Sequence, residues 1–255
     1  MIGMTTIGVL ECGRNKPEWI KKHGGFADWF PRLLHAVDPD LAFGVWRVFD
    51  GELPGAPDEC DAWLLTGSPA STYQKAPWQD ALSKFVIAAR EHRPLVGICY
   101  GHQHLHAALG GQVAKAPHWG AGVTRYTIDR QPAWLQHAGD DPAPDFFSLI
   151  ALHQDQVTVP APGTQVLASS PDCPLAVTTI GPNVLTFQPH PEMTPAQVTE
   201  IYDLHRHDMG EDIWRRAQAS LDRPRNQQLA ARWIVDFIRS NPAPFRQPQS
   251  SGDQA

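Results

Sequence analysis

The residues with the strongest chemical character in this sequence are a cysteine and, far from it along the chain, a histidine next to a carboxylate. Cys99 stands in GICYG at 97–101, between two glycines and directly after the apolar pair Leu95-Val96. The spacing G-x-C-x-G repeats, with sulfur for oxygen, the elbow G-x-S-x-G, in which a strand turns sharply into a helix and the reactive side chain projects at the bend. Glycines suit such a bend because a Cβ there would meet the neighbouring strand or helix. A thiol in the first turn of a helix faces the positive end of the macrodipole and unpaired N–H groups, which favour thiolate. The five residues alone read equally well as a buried cysteine at a strand end.

A nucleophilic thiol needs a base. FQPHPE at 187–192 follows the run NVLT, so His190 and Glu192 come at the end of a strand, where positions i and i+2 share a face. A carboxylate beside an imidazole fixes its tautomer and stabilises the imidazolium. Cys99, His190 and Glu192 thus make up a nucleophile, a base and an orienter. Taken singly, His190 also reads as a histidine capping a loop, and Glu192 as a solvated carboxylate at a helix start before Thr194-Pro195. Their occurrence together with the elbow favours the chemical reading.

Two other features compete for attention. His102, His104, His106 and His118 cluster, and the first and third have the i, i+4 spacing of a helical metal pair. No acidic ligand accompanies them, so no metal site is expected. WGAG at 119–122 reads as a turn packed on the second layer rather than as a binding loop.

The elements that must position these groups alternate between strand and helix. TTIGVLE at 5–11 reads as a buried strand, and 17–37 as mostly helix, interrupted at Gly24-Gly25 and again near Pro31. Short apolar runs at 41–49 and 61–66 read as further strands. Leu82, Phe85, Val86 and Ala89 recur at helical spacing within 78–91, and Pro94 ends that helix ahead of the strand at 95–98. Such alternation implies right-handed crossovers and a mainly parallel sheet with its ligand site beyond the carboxyl ends of the strands, where Thr66-Gly67-Ser68 and Cys99 both fall. From 112 the pattern changes to short β-like pieces at 122–128, 156–159, 166–169, 175–180 and 184–187, which suit an antiparallel extension. Leu229, Trp233, Ile234, Phe237 and Ile238 form the apolar face of a closing helix, and 241–255 reads as a mobile tail after one domain spanning 1–240.

The chain has 255 residues, enough to bury a full core, and 42% of them are hydrophobic. A formal charge of -6 with no basic run argues against a nucleic-acid surface. No window approaches the length of a membrane span, and MIGMTTIGVLECG has no signal-peptide pattern. Cys12, Cys60, Cys99 and Cys173 show no C-x-x-C spacing, so a reducing cytoplasm fits the chain best.

GICYGHQ (97–103), LGG (109–111), HQDQV (153–157) and FQPHPE (187–192), with the TGSP turn at 66–69, resemble the motifs of the triad, or class I, glutamine amidotransferases, in family order. The likeness is greatest to the glutaminase domain of GMP synthetase and its stand-alone relatives. It implies a flavodoxin-like α/β fold and a reaction in which Cys99 attacks the γ-amide carbon of a small-molecule γ-glutamyl substrate to form a thioester. His190 would move the protons and Glu192 would orient it. The N–H groups of Gly67 and Tyr100 would form the oxyanion hole, an unhindered glycine and the residue after the nucleophile both aiming amides at one spot. Gln103, one helical turn after Cys99, would bind the glutamyl group, with His153 and Asp155 bordering that pocket. The family requires no metal or cofactor. The resemblance leaves two enzymatic fates open: a free-standing hydrolase of γ-glutamyl compounds, as in the related plant γ-glutamyl peptidases, or an ammonia-supplying glutaminase with a separate synthase partner. The chain carries no ATP-binding motif, which favours the first. A silent binding module is a third reading, against which the intact triad speaks.

Overall fold

The computed structural model of the chain describes residues 4–134 and 144–241, so the tail expected at 241–255 lies, but for its first residue, outside the described residues. Five parallel strands carry the site: β1 (Thr6–Glu11), β2 (Ala42–Arg47), β3 (Ala62–Leu65), β4 (Leu95–Ile98) and β9 (Val184–Phe187). Four antiparallel strands continue the same sheet: β5 (Gln112–Ile128), β6 (Phe146–Val159), β7 (Thr164–Ser170) and β8 (Cys173–Ile180). The order across it is β2-β1-β3-β4-β9-β8-β7-β5-β6. Its parallel half has the doubly wound order in which direction reverses beside β1, and ligands bind beyond the carboxyl ends near such a reversal.

Alternate residues of the central strands serve opposite layers, as a period of two requires. Ile7, Val9, Leu64, Val96 and Ile98 pack into the core under α2 (Phe26–His35) and α7 (Gln227–Ser240), with Phe30, Trp233 and Phe237. Leu10, Trp63, Leu65 and Leu95 face the other way, onto Leu82 and Val86 of α3 (Pro77–Ala89) and Leu105 of α4 (Tyr100–Ala108). Each fully buried aliphatic side chain of this kind contributes about 1.5–3 kcal/mol.

Three expectations change. The helical stretch after β1 does break at Gly24-Gly25, between α1 (Pro17–His23) and α2, yet Pro31 lies inside α2 without ending it. A proline removes one ladder hydrogen bond, and Phe26, Trp29, Phe30 and Leu34, all buried, hold the helix against the sheet regardless. β9 is not part of the antiparallel extension alone. A tight turn from β8 makes it antiparallel to that strand, while its other edge pairs in parallel with β4 from Leu95↔Val184 to Ile98↔Phe187. WGAG at 119–122 is not a turn but part of β5, which pairs with β6 through a bulge that sets Lys115 opposite Asp155 and Gly120 opposite His153.

The last helices close the antiparallel side. α5 (Pro195–Met209) starts at a Thr194 cap whose side chain accepts from the Gln197 N–H. Tyr202 in its middle donates to the Ala151 carbonyl (2.5 Å) and accepts from the Gly122 N–H (2.8 Å), which ties the helix to β5 and β6. Ser220, ending α6 (Glu211–Ser220), accepts from the Val123 N–H at 2.8 Å. Among the described residues no helix is long and apolar enough to cross a membrane.

Candidate active site

Cys99 is the residue at which β4 becomes α4. Its backbone sits at φ 52°, ψ −100°, and only Lys75 shares a positive φ among the described non-glycine residues. A conformation of this kind costs on the order of 1–3 kcal/mol and persists where its surroundings over-determine it. Here the surroundings are the two glycines. A Cβ on Gly97 would come 2.6 Å from the Gly101 backbone, and one on Gly101 would come 2.5 Å from the Leu65 carbonyl oxygen. Strand and helix can therefore approach closely enough to force the bend. The Cys99 N–H donates to the Phe187 carbonyl (2.8 Å) and its carbonyl accepts from the Gln103 N–H (3.0 Å), so sheet and helix ladders meet on this one residue.

The bond to Phe187 places Cys99 beside the segment that follows β9. There the His190 N–H donates to the Ile150 carbonyl of β6 at 2.8 Å, and its Nδ1 lies 2.7 Å from Oε1 of Glu192. Both side chains are almost wholly buried. With Nδ1 donating to the carboxylate, Nε2 is the ring nitrogen left to exchange a proton with the thiol. Nε2 has no hydrogen bond of ordinary geometry among the described residues. Burial by itself depresses the imidazole's pKa, but the Glu192 charge, and after it the Cys99 sulfur, raise it well above the usual histidine range. The thiol itself points to the Leu152 carbonyl at 3.7 Å. One strand end, one helix start and one edge of β6 thus bring together the three residues that the sequence singles out.

The N–H groups of Gly67 and Tyr100 donate to no protein acceptor among the described residues. Tyr100 opens α4, so its amide is one of the orphans of a helix start. Its side chain points away, into a buried network in which Gln79 Nε2 donates to the phenol oxygen (3.0 Å) and His104 Nδ1 lies 3.1 Å from it. Gln103 is buried, and its Nε2 donates to the Asp155 carbonyl (2.8 Å) and to Gln188 Oε1 (3.1 Å). Tyr73 donates to Asp155 Oδ1 at 2.9 Å. His153 is buried alongside, its pKa pushed down to about 3 by desolvation first and by His190 second. It is a neutral imidazole whose Nδ1 has no hydrogen bond of ordinary geometry among the described residues.

Three of the four clustered histidines, His102, His104 and His106, are scaffold, while His118 is exposed. His102 Nδ1 lies 2.8 Å from the Thr186 hydroxyl and His106 Nε2 3.0 Å from that of Thr178, while His104 Nε2 lies 3.2 Å from the Ser83 hydroxyl. Burial depresses the pKa of all three, His104 and His106 to about 4.

Cys99, His190, Gly67, Gln103, His153 and Asp155 line one pocket of about 500 Å³. Among the described residues Asp155 is its only lining carboxylate, with Lys115 also in the lining. Sequence reasoning misses Lys115, Tyr73, Trp119, Asn15, Lys16 and Trp19, all of which reach this pocket. None of them belongs to a motif, and each arrives through long-range packing that no local pattern announces.

A family model described as glutamine amidotransferase class-I matches residues 49–203. Gamma-glutamyl peptidase 3 of Arabidopsis thaliana is 30% identical over 194 residues, covering 73% of this chain and 76% of that protein. A GMP synthase [glutamine-hydrolyzing] of Bordetella avium is 30% identical over 165 residues, 63% of this chain but 29% of that protein. A solved structure of a glutamine amido transferase from Methylobacillus flagellatus superposes with a TM-score of 0.73 at 20% identity, over 96% of this chain and 99% of that one.

Proposed function

The chain belongs to the class I glutamine amidotransferase family, with its flavodoxin-like α/β fold, and on that premise we propose that it is a hydrolase of γ-glutamyl amides that works through a thioester on Cys99. The observation that carries this reading is the meeting of Cys99, the His190–Glu192 pair and the Gly67 and Tyr100 N–H groups, unpaired among the described residues, with Cys99, His190 and Gly67 lining one pocket. Cys99 Sγ attacks the γ-carbonyl carbon while Nε2 of His190 takes the thiol proton. The Gly67 and Tyr100 amides receive the oxyanion, a contribution of about 3–4 kcal/mol per donor in comparable sites. His190 returns its proton to the departing nitrogen as the C–N bond breaks, leaving the γ-glutamyl thioester and a free amine. Water then attacks the thioester with His190 again as base, releasing glutamate and restoring the thiol. Glu192 holds the imidazole in the tautomer that both half-reactions use.

At the far end of the pocket, Asp155 and Lys115 offer opposite charges, opposed in register on β6 and β5, to the ammonium and carboxylate of the glutamyl head. Gln103 holds the Asp155 backbone in place for that contact. The choice of a free-standing hydrolase rests on extent of likeness: the chain matches the peptidase over most of both proteins, but only a minor part of the synthase. The test is glutamate release by the purified chain alone from γ-glutamyl dipeptides and from glutamine. The expected result is release without any added protein. Activity that appears only when a synthase from the same cell is supplied would assign the chain to ammonia delivery instead.

A further inference from the structure

The pocket extends well past the groups that the thioester chemistry needs, and its outer part has a chemical character of its own. Its direction is set by His190, which must hand a proton to the leaving amine. A Cβ on Gly67 would lie 3.2 Å from His190 Cε1 and 3.6 Å from the Phe26 ring, so Phe26 stands next to the proton donor. Behind the wall the Phe26 ring packs on the buried Trp29 (centroids 4.8 Å apart), which packs on Trp19 (5.2 Å), and Phe26 and Trp19 both line the pocket. Trp119 of β5, whose ring centroid lies 5.1 Å from that of His205 on α5, supplies more aromatic surface to the same pocket.

Several polar groups of this outer part are donors that lack an acceptor. Asn15 Nδ2, Trp19 Nε1 and Trp119 Nε1 are buried without a hydrogen-bond partner among the described residues. The Lys16 ammonium has no ion pair among them, whereas the neighbouring Arg14 is already paired with Asp50. Asp155, the pocket's one carboxylate among the described residues, is tied to Tyr73 at the glutamyl end. Buried donors without acceptors are costly unless a ligand supplies the acceptors.

We infer that the amine half of the substrate is an aromatic α-amino acid, so that the substrate class is γ-glutamyl dipeptides whose second residue is aromatic and carries a free carboxylate. The ring lies against Trp19 and Trp119, and the carboxylate meets Lys16 and the Asn15 amide. A leaving group with a ring but no carboxylate leaves the donors unanswered. One with a carboxylate but no ring leaves the aromatic walls wet. This assignment rests on the hydrolase reading above and adds to it which side chains choose the amine.

The experiment compares kcat/KM for γ-Glu-Phe, γ-Glu-phenethylamide, which lacks only the carboxylate, and γ-Glu-Gly, which lacks only the ring. It uses the wild-type chain, Lys16→Met and Trp19→Ala, together with calorimetric binding of the same three compounds to Cys99→Ala. The expected result is a preference for γ-Glu-Phe over each of the others of about tenfold or more, the worth of one good contact. Lys16→Met should collapse the ratio of γ-Glu-Phe to the phenethylamide, and Trp19→Ala the ratio of γ-Glu-Phe to γ-Glu-Gly. Lys16 is exposed, so its replacement does not threaten folding. Cleavage of all three at similar rates, or ratios untouched by both substitutions, would overturn the leaving-group assignment and leave the hydrolase reading standing. Selective binding to Cys99→Ala with no turnover by the wild type would support the assignment and overturn hydrolysis, and neither binding nor turnover would overturn both.

Discussion

Nδ1 of His190 and Oε1 of Glu192 stand 2.7 Å apart with both side chains almost wholly buried, and the carboxylate's charge holds the imidazole proton against the pull of burial. Removing the carboxylate while keeping its shape should therefore disturb tautomer and orientation without removing the base. Cys99→Ala and His190→Ala should each abolish measurable turnover, while Glu192→Gln costs about one to two orders of magnitude less than either, the pattern of triads whose members act as a unit. Steady-state kcat/KM for the three variants checks the order. A Glu192→Gln enzyme as dead as Cys99→Ala would mean that the carboxylate does more than orient.

The elbow makes a prediction about stability. Gly97→Ala and Gly101→Ala each put a Cβ within about 2.6 Å of backbone atoms that cannot move aside without opening the β4–α4 bend. Overpacking of this kind typically costs about 1–3 kcal/mol and exceeds that where backbone is the obstacle. Denaturant melts should show both variants destabilised, with activity lost further than stability because Cys99 is displaced. Normal activity in a Gly101→Ala protein would show that the bend relaxes harmlessly.

Gln103 donates to the Asp155 carbonyl and to Gln188, so Gln103→Ala frees the segment at the glutamyl end. The loss of one such contact should raise KM by about tenfold for every γ-glutamyl compound alike, with kcat changed less. Kinetics on two substrates with different amines distinguish this from the alternative, a change in preference between amines, which would put Gln103 on the leaving-group side.

Acid should unfold the protein early. His102, His104, His106 and His153 are buried and neutral, with pKa values held below the ordinary 6.5, in the last three cases at about 4, 4 and 3. The unfolded chain protonates them below pH 6.5 and the native one does not, so stability is complete above that pH and is lost as pH falls towards 4, by about 1.4 kcal/mol per pH unit for each histidine. His190 acts in the opposite sense: its raised pKa adds stability that is present below pH 6.5 and fades as pH climbs through the native value. Denaturation midpoints measured from pH 7 to pH 5 should fall steeply, and His104→Gln should flatten the slope by about one proton.

Much of the site is legible in the sequence because it is local. The elbow needs only five consecutive residues, and His190 and Glu192 are two apart, so a single chain segment specifies each half of the machinery. Their juxtaposition follows from β9 pairing in parallel with β4, a contact between segments that no local pattern links, and for that reason β9 reads from sequence as one more antiparallel strand. Trp119 misleads in the same way. Its neighbours Gly120 and Gly122 look like turn residues, yet Gly120 is small because a Cβ there would lie 2.5 Å from the His153 ring on the paired strand. Asn15, Lys16 and Trp19 precede or open a short exposed helix with no motif, and only the folding of that helix over the strand ends brings them to the pocket.

That Cys99 is the nucleophile of this chain is tested most directly by treating the purified protein with a chloromethyl ketone analogue of glutamine and mapping the labelled peptide by mass spectrometry. All four cysteines are buried and outside disulfides, and burial drives the Cys12 and Cys173 thiols upward, Cys173 to about 12. The expected result is one equivalent of label, confined to Cys99, with loss of activity in proportion and protection by a γ-glutamyl substrate. Label on Cys12, Cys60 or Cys173 with Cys99 untouched, or full γ-glutamyl hydrolysis by the Cys99→Ala protein, would contradict it.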